Sequence, residues 1–107
     1  MKNSYLLILL AICSLLTGNA RAEGGYALAQ KHLCISCHSL DRKLIGPSWM
    51  SVSTLYRDRP DAETYLIGKI RSGGSGTWGT AHMPPSDNIA EADIKALAKY
   101  VLGLVRE

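Results

Sequence analysis

Cys34-Ile35-Ser36-Cys37-His38 decides the reading of this chain. C-x-x-C-H is the attachment signature of a c-type haem. Two thiols set two residues apart reach one edge of a porphyrin from about one helical turn and add across its two vinyl groups. The histidine that follows can turn its imidazole onto the iron as proximal ligand. Other uses of the same residues fit less well. A thioredoxin-like C-x-x-C wants a preceding strand and a longer α/β chain. A zinc site wants a second Cys/His pair at ligand spacing, which His32 and His82 do not form. A disulfide closed over two residues is strained.

Upstream of the motif, Met1-Lys2-Asn3 is a short basic start, residues 5–16 are an almost unbroken apolar run, and Ala20-Arg21-Ala22 is a small-x-small site. That is the pattern of a secretory signal peptide. Cleavage is expected before Glu23, so that residues 1–22 are removed and residues 23–107 form the domain. The apolar run is shorter than the roughly 20 residues that span a bilayer, so no retained membrane anchor is expected. Cys13 lies in this run behind Ile12, too large for a lipoprotein site, and reads as apolar filler. Covalent haem attachment takes place outside the cytoplasm, so leader and motif point to one compartment, the periplasm.

Two of the twelve basic residues, Lys2 and Arg21, belong to the leader, which leaves ten bases against nine acids. A balance so even argues against nucleic acid or an anionic membrane as the main partner. The remainder is one small domain with a thin core and no Phe. A covalently held macrocycle would fill its middle, and the apo chain is expected to fold poorly.

Tyr26, Ala29, Gln30 and Leu33 fall at helical spacing and predict a helix over 25–33. His32, on its other side, is expected to face solvent. After a polar loop, Gly46-Pro47 starts the next helix, over 48–56, with Pro47 at its first position and an apolar face of Trp49, Val52 and Leu55. Pro47 lies nine residues after His38, and its carbonyl can accept the His38 Nδ1–H. A third helix is predicted over 61–71, with Asp61 as its cap and Gly73-Gly74 as its end. Lys69 and Arg71 in its last turn could meet a haem propionate. The last helix carries a stripe of Ile94, Leu97, Ala98, Val101 and Leu102. Either Asn88 with Glu91, or Ala90, would cap it.

Residues 72–86 are glycine-rich and without periodicity, so they read as a long loop with a function. Its work would be to deliver a second axial ligand. Met83, a soft thioether stiffened by Pro84-Pro85, is the candidate, and its neighbour His82 is the rival. The indole N–H of Trp78 needs a partner if buried, which a propionate would supply.

Together these pieces resemble class I cytochrome c in its short bacterial form, over essentially the whole of residues 23–107. The matching residues are Cys34, Cys37 and His38; Gly46-Pro47; the glycine-rich stretch with Trp78; Met83-Pro84-Pro85; and the final helix with Tyr100. The resemblance implies an all-α fold of about four helices around one covalent haem c, with first and last helices crossing near Tyr26 and Tyr100. It implies His38 and Met83 as axial ligands with Pro47 and Trp78 beside them. It implies electron transfer without bond chemistry, hence no enzyme, by a monomeric periplasmic carrier that docks transiently with redox protein partners. A haem c subunit of a multi-subunit periplasmic dehydrogenase would have the same sequence pattern. The chain departs from the family at Ala29, where an aromatic is common, at His82, where a proline is common, and at Ser86, where an asparagine is common.

Overall fold

The computed structural model describes residues 20–105; residues 1–19, most of the expected leader, lie outside the described residues. The described chain forms α1 (Ala20–Lys31), a 3-10 turn (Cys34–Ser36), α2 (Trp49–Tyr56), α3 (Ala62–Ser72), a hairpin of β1 (Gly74–Gly76) and β2 (Gly79–Met83), and α4 (Glu91–Leu102). The fold is mostly helical, as expected. The antiparallel hairpin is an addition, in a stretch expected to lack regular structure.

α4 is the hub. It packs against α1, α2 and α3. Ile94, Leu97, Ala98 and Val101 are buried along it, and Lys95 and Lys99 stay in solvent. Ala90 stands at its N-cap without a side-chain bond. The alternative box through Asn88 is not formed; Glu91 instead pairs with Arg71 at the end of α3. Asp61, expected to cap α3, also has another partner: its carboxylate accepts two N–H bonds from Arg59, at 2.9 and 2.8 Å.

α2 starts at Trp49, one residue after the expected 48 and two after Pro47, which therefore stands before the helix and not at its first position. Ser48 is its N-cap, and the Ser48 Oγ accepts the Ser51 N–H at 3.1 Å. Trp49, Val52, Ser53 and Tyr56 are its buried face, while Leu55, expected inside, is 52% exposed. Ser53 is fully buried because its hydroxyl has work in the core. It donates to the Leu102 carbonyl at 3.1 Å and accepts the Val105 N–H at 3.2 Å, pinning the end of α4.

α1 corrects the reading of its own face. Ala29 is fully buried, but Tyr26 and Leu33 are exposed, and Leu33 lies beyond the helix end. Small residues carry the contact: Gly25 and Ala29, one turn apart, let α1 approach α4 closely. A methyl group on Gly25 would overlap the Tyr100 ring. The helices thus cross at Gly25 and Tyr100, one residue from the expected Tyr26. His32 does not face solvent either. Its Nε2 lies 2.8 Å from an Asp93 carboxylate oxygen, tying the end of α1 to the first turn of α4.

Two neighbouring glycines give a test. Gly24 meets nothing within 4 Å and would stand at the start of the cleaved chain, so Gly24→Ala should leave the stability of the protein unchanged to within about 0.5 kcal/mol. Gly25→Ala overpacks the crossing, and should cost about 1–3 kcal/mol in denaturant unfolding.

Candidate cofactor site

The site begins where α1 is forced to stop. Leu33 has φ 60 and ψ 21, a left-handed conformation that costs a non-glycine residue about 1–2 kcal/mol. This reversal starts the 3-10 turn. The Cys37 and His38 N–H groups both donate to the Cys34 carbonyl, at 3.2 and 3.0 Å, so the motif is folded on itself. Cys34 and Cys37 are free, half-buried thiols. Burial pushes the Cys34 thiol above its ordinary value, and the neighbouring Cys37 adds to the effect. Before attachment this sulfur is a neutral thiol at neutral pH.

His38 is held by its edge. Its Nδ1 lies 2.8 Å from the Pro47 carbonyl oxygen. A carbonyl only accepts, so Nδ1 carries a proton, which makes Nε2 the nitrogen that bears the lone pair in the neutral ring. The Gly46 N–H donates to the Cys37 carbonyl at 2.8 Å and closes the intervening loop. Gly46 then lies on the imidazole itself: a methyl there would come within 2.6 Å of Cε1.

Met83 is held by backbone pairing. It ends β2, opposite Gly74. Gly73 precedes that strand at φ 67 and ψ −151, and a Cβ on it would overlap the Met83 carbonyl. Only glycine fits there. The hairpin escaped the sequence reading because its strands are short, glycine-rich and without alternation; the glycine at the end of α3 was its one signal.

These elements enclose a cleft with ≈ 1300 Å³ of empty space, its open mouth included. Cys34, Cys37, His38, Pro47, Trp78 and Met83 all line it, as does His82. Its interior is apolar, from Val52, Leu66, Ile70, Leu97 and Val101. Two thiols, one imidazole lone pair and one thioether around an apolar cleft fit an iron macrocycle held covalently. Lys69 also lines the cleft, whereas Arg71 does not, being engaged by Glu91.

The sequence reading passed over an aromatic cluster on this cleft. The Tyr56 and Tyr65 rings lie 4.9 Å apart, their hydroxyls 3.5 Å apart, and the Arg59 guanidinium sits 4.2 Å over the Tyr65 ring. Burial pushes the Tyr56 phenol up, and the Tyr56 hydroxyl beside it holds Tyr65 down. Trp78, half-exposed, meets Tyr56 edge-on at 6.4 Å. Apolar spacing marks such residues as core and cannot tell core from cleft wall.

A family model described as Cytochrome c matches residues 22–104. The chain is 43% identical over 104 residues to cytochrome c-552 of Nitrosomonas europaea, covering 97% of this chain and 99% of that one. It is 36% identical to cytochrome c-551 of Pseudomonas aeruginosa, covering 95% and 97%. The crystal structure of the Nitrosomonas europaea cytochrome superposes with a TM-score of 0.72 at 46% identity, over 75% of this chain and 99% of that one. The class 1 cytochrome MtoD from Sideroxydans lithotrophicus superposes with a TM-score of 0.66 at 30% identity, over 77% and 94%.

Gly73→Ala should displace the strand that carries Met83. The expected outcome in the haem-loaded protein is destabilisation of about 1–3 kcal/mol, read by denaturant unfolding.

Proposed function

Because the chain belongs to the cytochrome c family, in its class I monohaem form, we propose that it works in the periplasm with His38 and Met83 as the axial ligands of its haem. The protein shuttles single electrons and carries one covalently attached haem c. When bound, the haem supplies the one-electron ferric/ferrous couple. The observation that carries the ligand assignment is the His38 Nδ1 bond to the Pro47 carbonyl, on the same cleft as Met83 and both thiols.

Each residue then has a separate share in the reaction. Cys34 and Cys37 tether the ring, so it cannot dissociate in either oxidation state. His38 presents the Nε2 lone pair, and the Pro47 carbonyl, by taking the Nδ1 proton into a hydrogen bond, makes that nitrogen a better donor. Met83 offers a soft thioether that favours the ferrous state. The apolar lining excludes water and disfavours the more highly charged ferric state, which acts in the same direction. With His38 and Met83 holding the iron, no position would be left for a substrate, which supports a carrier and not an enzyme. Trp78 and Lys69, both on the cleft, would offer an indole N–H and an ammonium to the carboxylates of the haem.

Donor and acceptor proteins dock transiently on the open mouth of the cleft. The working protein is a monomer, released by cleavage before Glu23. Among the described residues no helix is long and apolar enough to cross a membrane. His82 is the competing ligand. It neighbours Met83 and also lines the cleft, but Pro84-Pro85 restrict the backbone at Met83 itself and leave His82 freer.

Two measurements test this reading. Met83→Ala should lose the far-red band and lower the potential by on the order of 0.1 V, within the ~0.8 V range that axial ligands command. His82→Ala should keep both. If His82→Ala loses the low-spin spectrum and Met83→Ala does not, the ligand assignment is wrong. Expression without haem-ligation machinery should give a chain with little helix by circular dichroism; a well-folded apo monomer would refute the coupling of attachment to folding.

A further inference from the structure

A hydrogen bond fixes where the His38 ring edge points but does not by itself fix the plane of the ring. The Pro47 carbonyl holds Nδ1 at 2.8 Å, and the imidazole can still turn about that contact. The structure holds a second restraint, on the flat side of the ring. The Trp49 indole stacks on the His38 imidazole with centroids 5.8 Å apart and planes only 18° from parallel. Trp49 is itself immobilised. It is 6% exposed, and the Tyr100 ring meets it edge-on at 6.0 Å with the planes at 78°.

The backbone of Trp49 is bound to the same segment. Its N–H donates to the Ser39 carbonyl at 2.9 Å, and the next N–H, of Met50, donates to the Leu40 carbonyl at 3.0 Å. With the Gly46 N–H on the Cys37 carbonyl at 2.8 Å, these bonds bracket His38 on both sides. The imidazole is therefore restrained by the Pro47 carbonyl at its edge, by the Gly46 backbone and by one aromatic face. Of these, the aromatic face is the restraint on the ring plane that a side chain supplies.

We infer that Trp49 is the positioning residue that sets the plane of the His38 imidazole, and through it the orientation in which this ligand meets the iron. The inference rests on His38 being the axial ligand. Trp49 touches neither iron nor substrate; it acts through His38. The role goes beyond filling volume, because a planar ring at 18° selects an orientation that a flexible side chain of similar bulk does not. The orientation of an axial imidazole governs how unpaired spin spreads over the ring in the ferric state, which the proton shifts of the four haem methyl groups report.

The test uses the haem-loaded protein and the variants Trp49→Phe and Trp49→Met, with Ile94→Val as a control. Ile94 is buried on α4 and is not among the residues that line the cleft. All are compared by helical circular dichroism, the far-red band and the methyl shifts. Trp49→Met should keep helix and band while the methyl pattern changes in order or spread; Trp49→Phe should keep the wild-type order. A wild-type pattern in Trp49→Met, or an equal change in Ile94→Val, overturns the inference. If Trp49→Met loses its helix, Trp49→Leu is read by the same criteria. In the unmodified holoprotein, nuclear Overhauser contacts between the His38 and Trp49 rings are required, and their absence is also decisive against it. A wild-type spectrum that is not low-spin would instead overturn the ligation of His38, so the two failures are distinguishable.

Discussion

The structure depends on one shared surface: the residues that should be its core are also the walls of its cleft. Val52, Leu66, Leu97 and Val101 are each less than 9% exposed to solvent, yet each lines the open space between α2, α3, α4 and the hairpin. A chain without Phe cannot close this gap with its own side chains. Burial of apolar surface is the main force available to a domain of this size, and here much of that surface faces the cofactor. The thin core and the cofactor site are thus a single feature. The elements that do meet directly are the ones that must: α1 against α4 through small residues, and α2 against the end of α4 through the Ser53 hydroxyl.

From that constraint follows the division of labour around the cleft. The attachment motif is held by a turn and by backbone bonds, the Nδ1 of His38 by a carbonyl, and Met83 by strand pairing. Each of these anchors holds backbone or a ring edge and not the tip of a side chain. A carrier requires little rearrangement when an electron moves, and fixed anchors suit that requirement. The His32–Asp93 hydrogen bond and the Arg71–Glu91 ion pair lie outside the cleft and join α1 and α3 to the start of α4.

The helices α2 and α3 were legible within one residue at each end, because apolar spacing and turn residues agree there, and α4 was legible by its stripe, with its start left between two caps. The motif residues were legible as chemistry: Cys34, Cys37, His38, Pro47, Trp78 and Met83 all reach one cleft. What was not legible has physical causes. On α1 the helical spacing marks Ala29, which is buried, but Gly25 carries too little hydropathy to show as the second contact, and Tyr26 and Leu33 at the same spacing stay exposed. His32 has its partner 61 residues away, beyond any local pattern. The hairpin is made by glycine conformations and not by side-chain alternation. Trp49 reads as core by spacing, and only the folded chain shows that the face it buries lies against an imidazole.

The pairing of Met83 with Gly74 changes what it means for the thioether to leave its place. A ligand on a free loop can swing away by a rotation about single bonds, in nanoseconds to microseconds. Here the residue is a rung of a ladder, with Gly73 packed behind it against the Met83 carbonyl. The sulfur can still turn about the side-chain bonds of Met83, but its backbone cannot follow freely: for that to withdraw, the strands must part, a local unfolding step that belongs with the slow exchange of protected amide hydrogens.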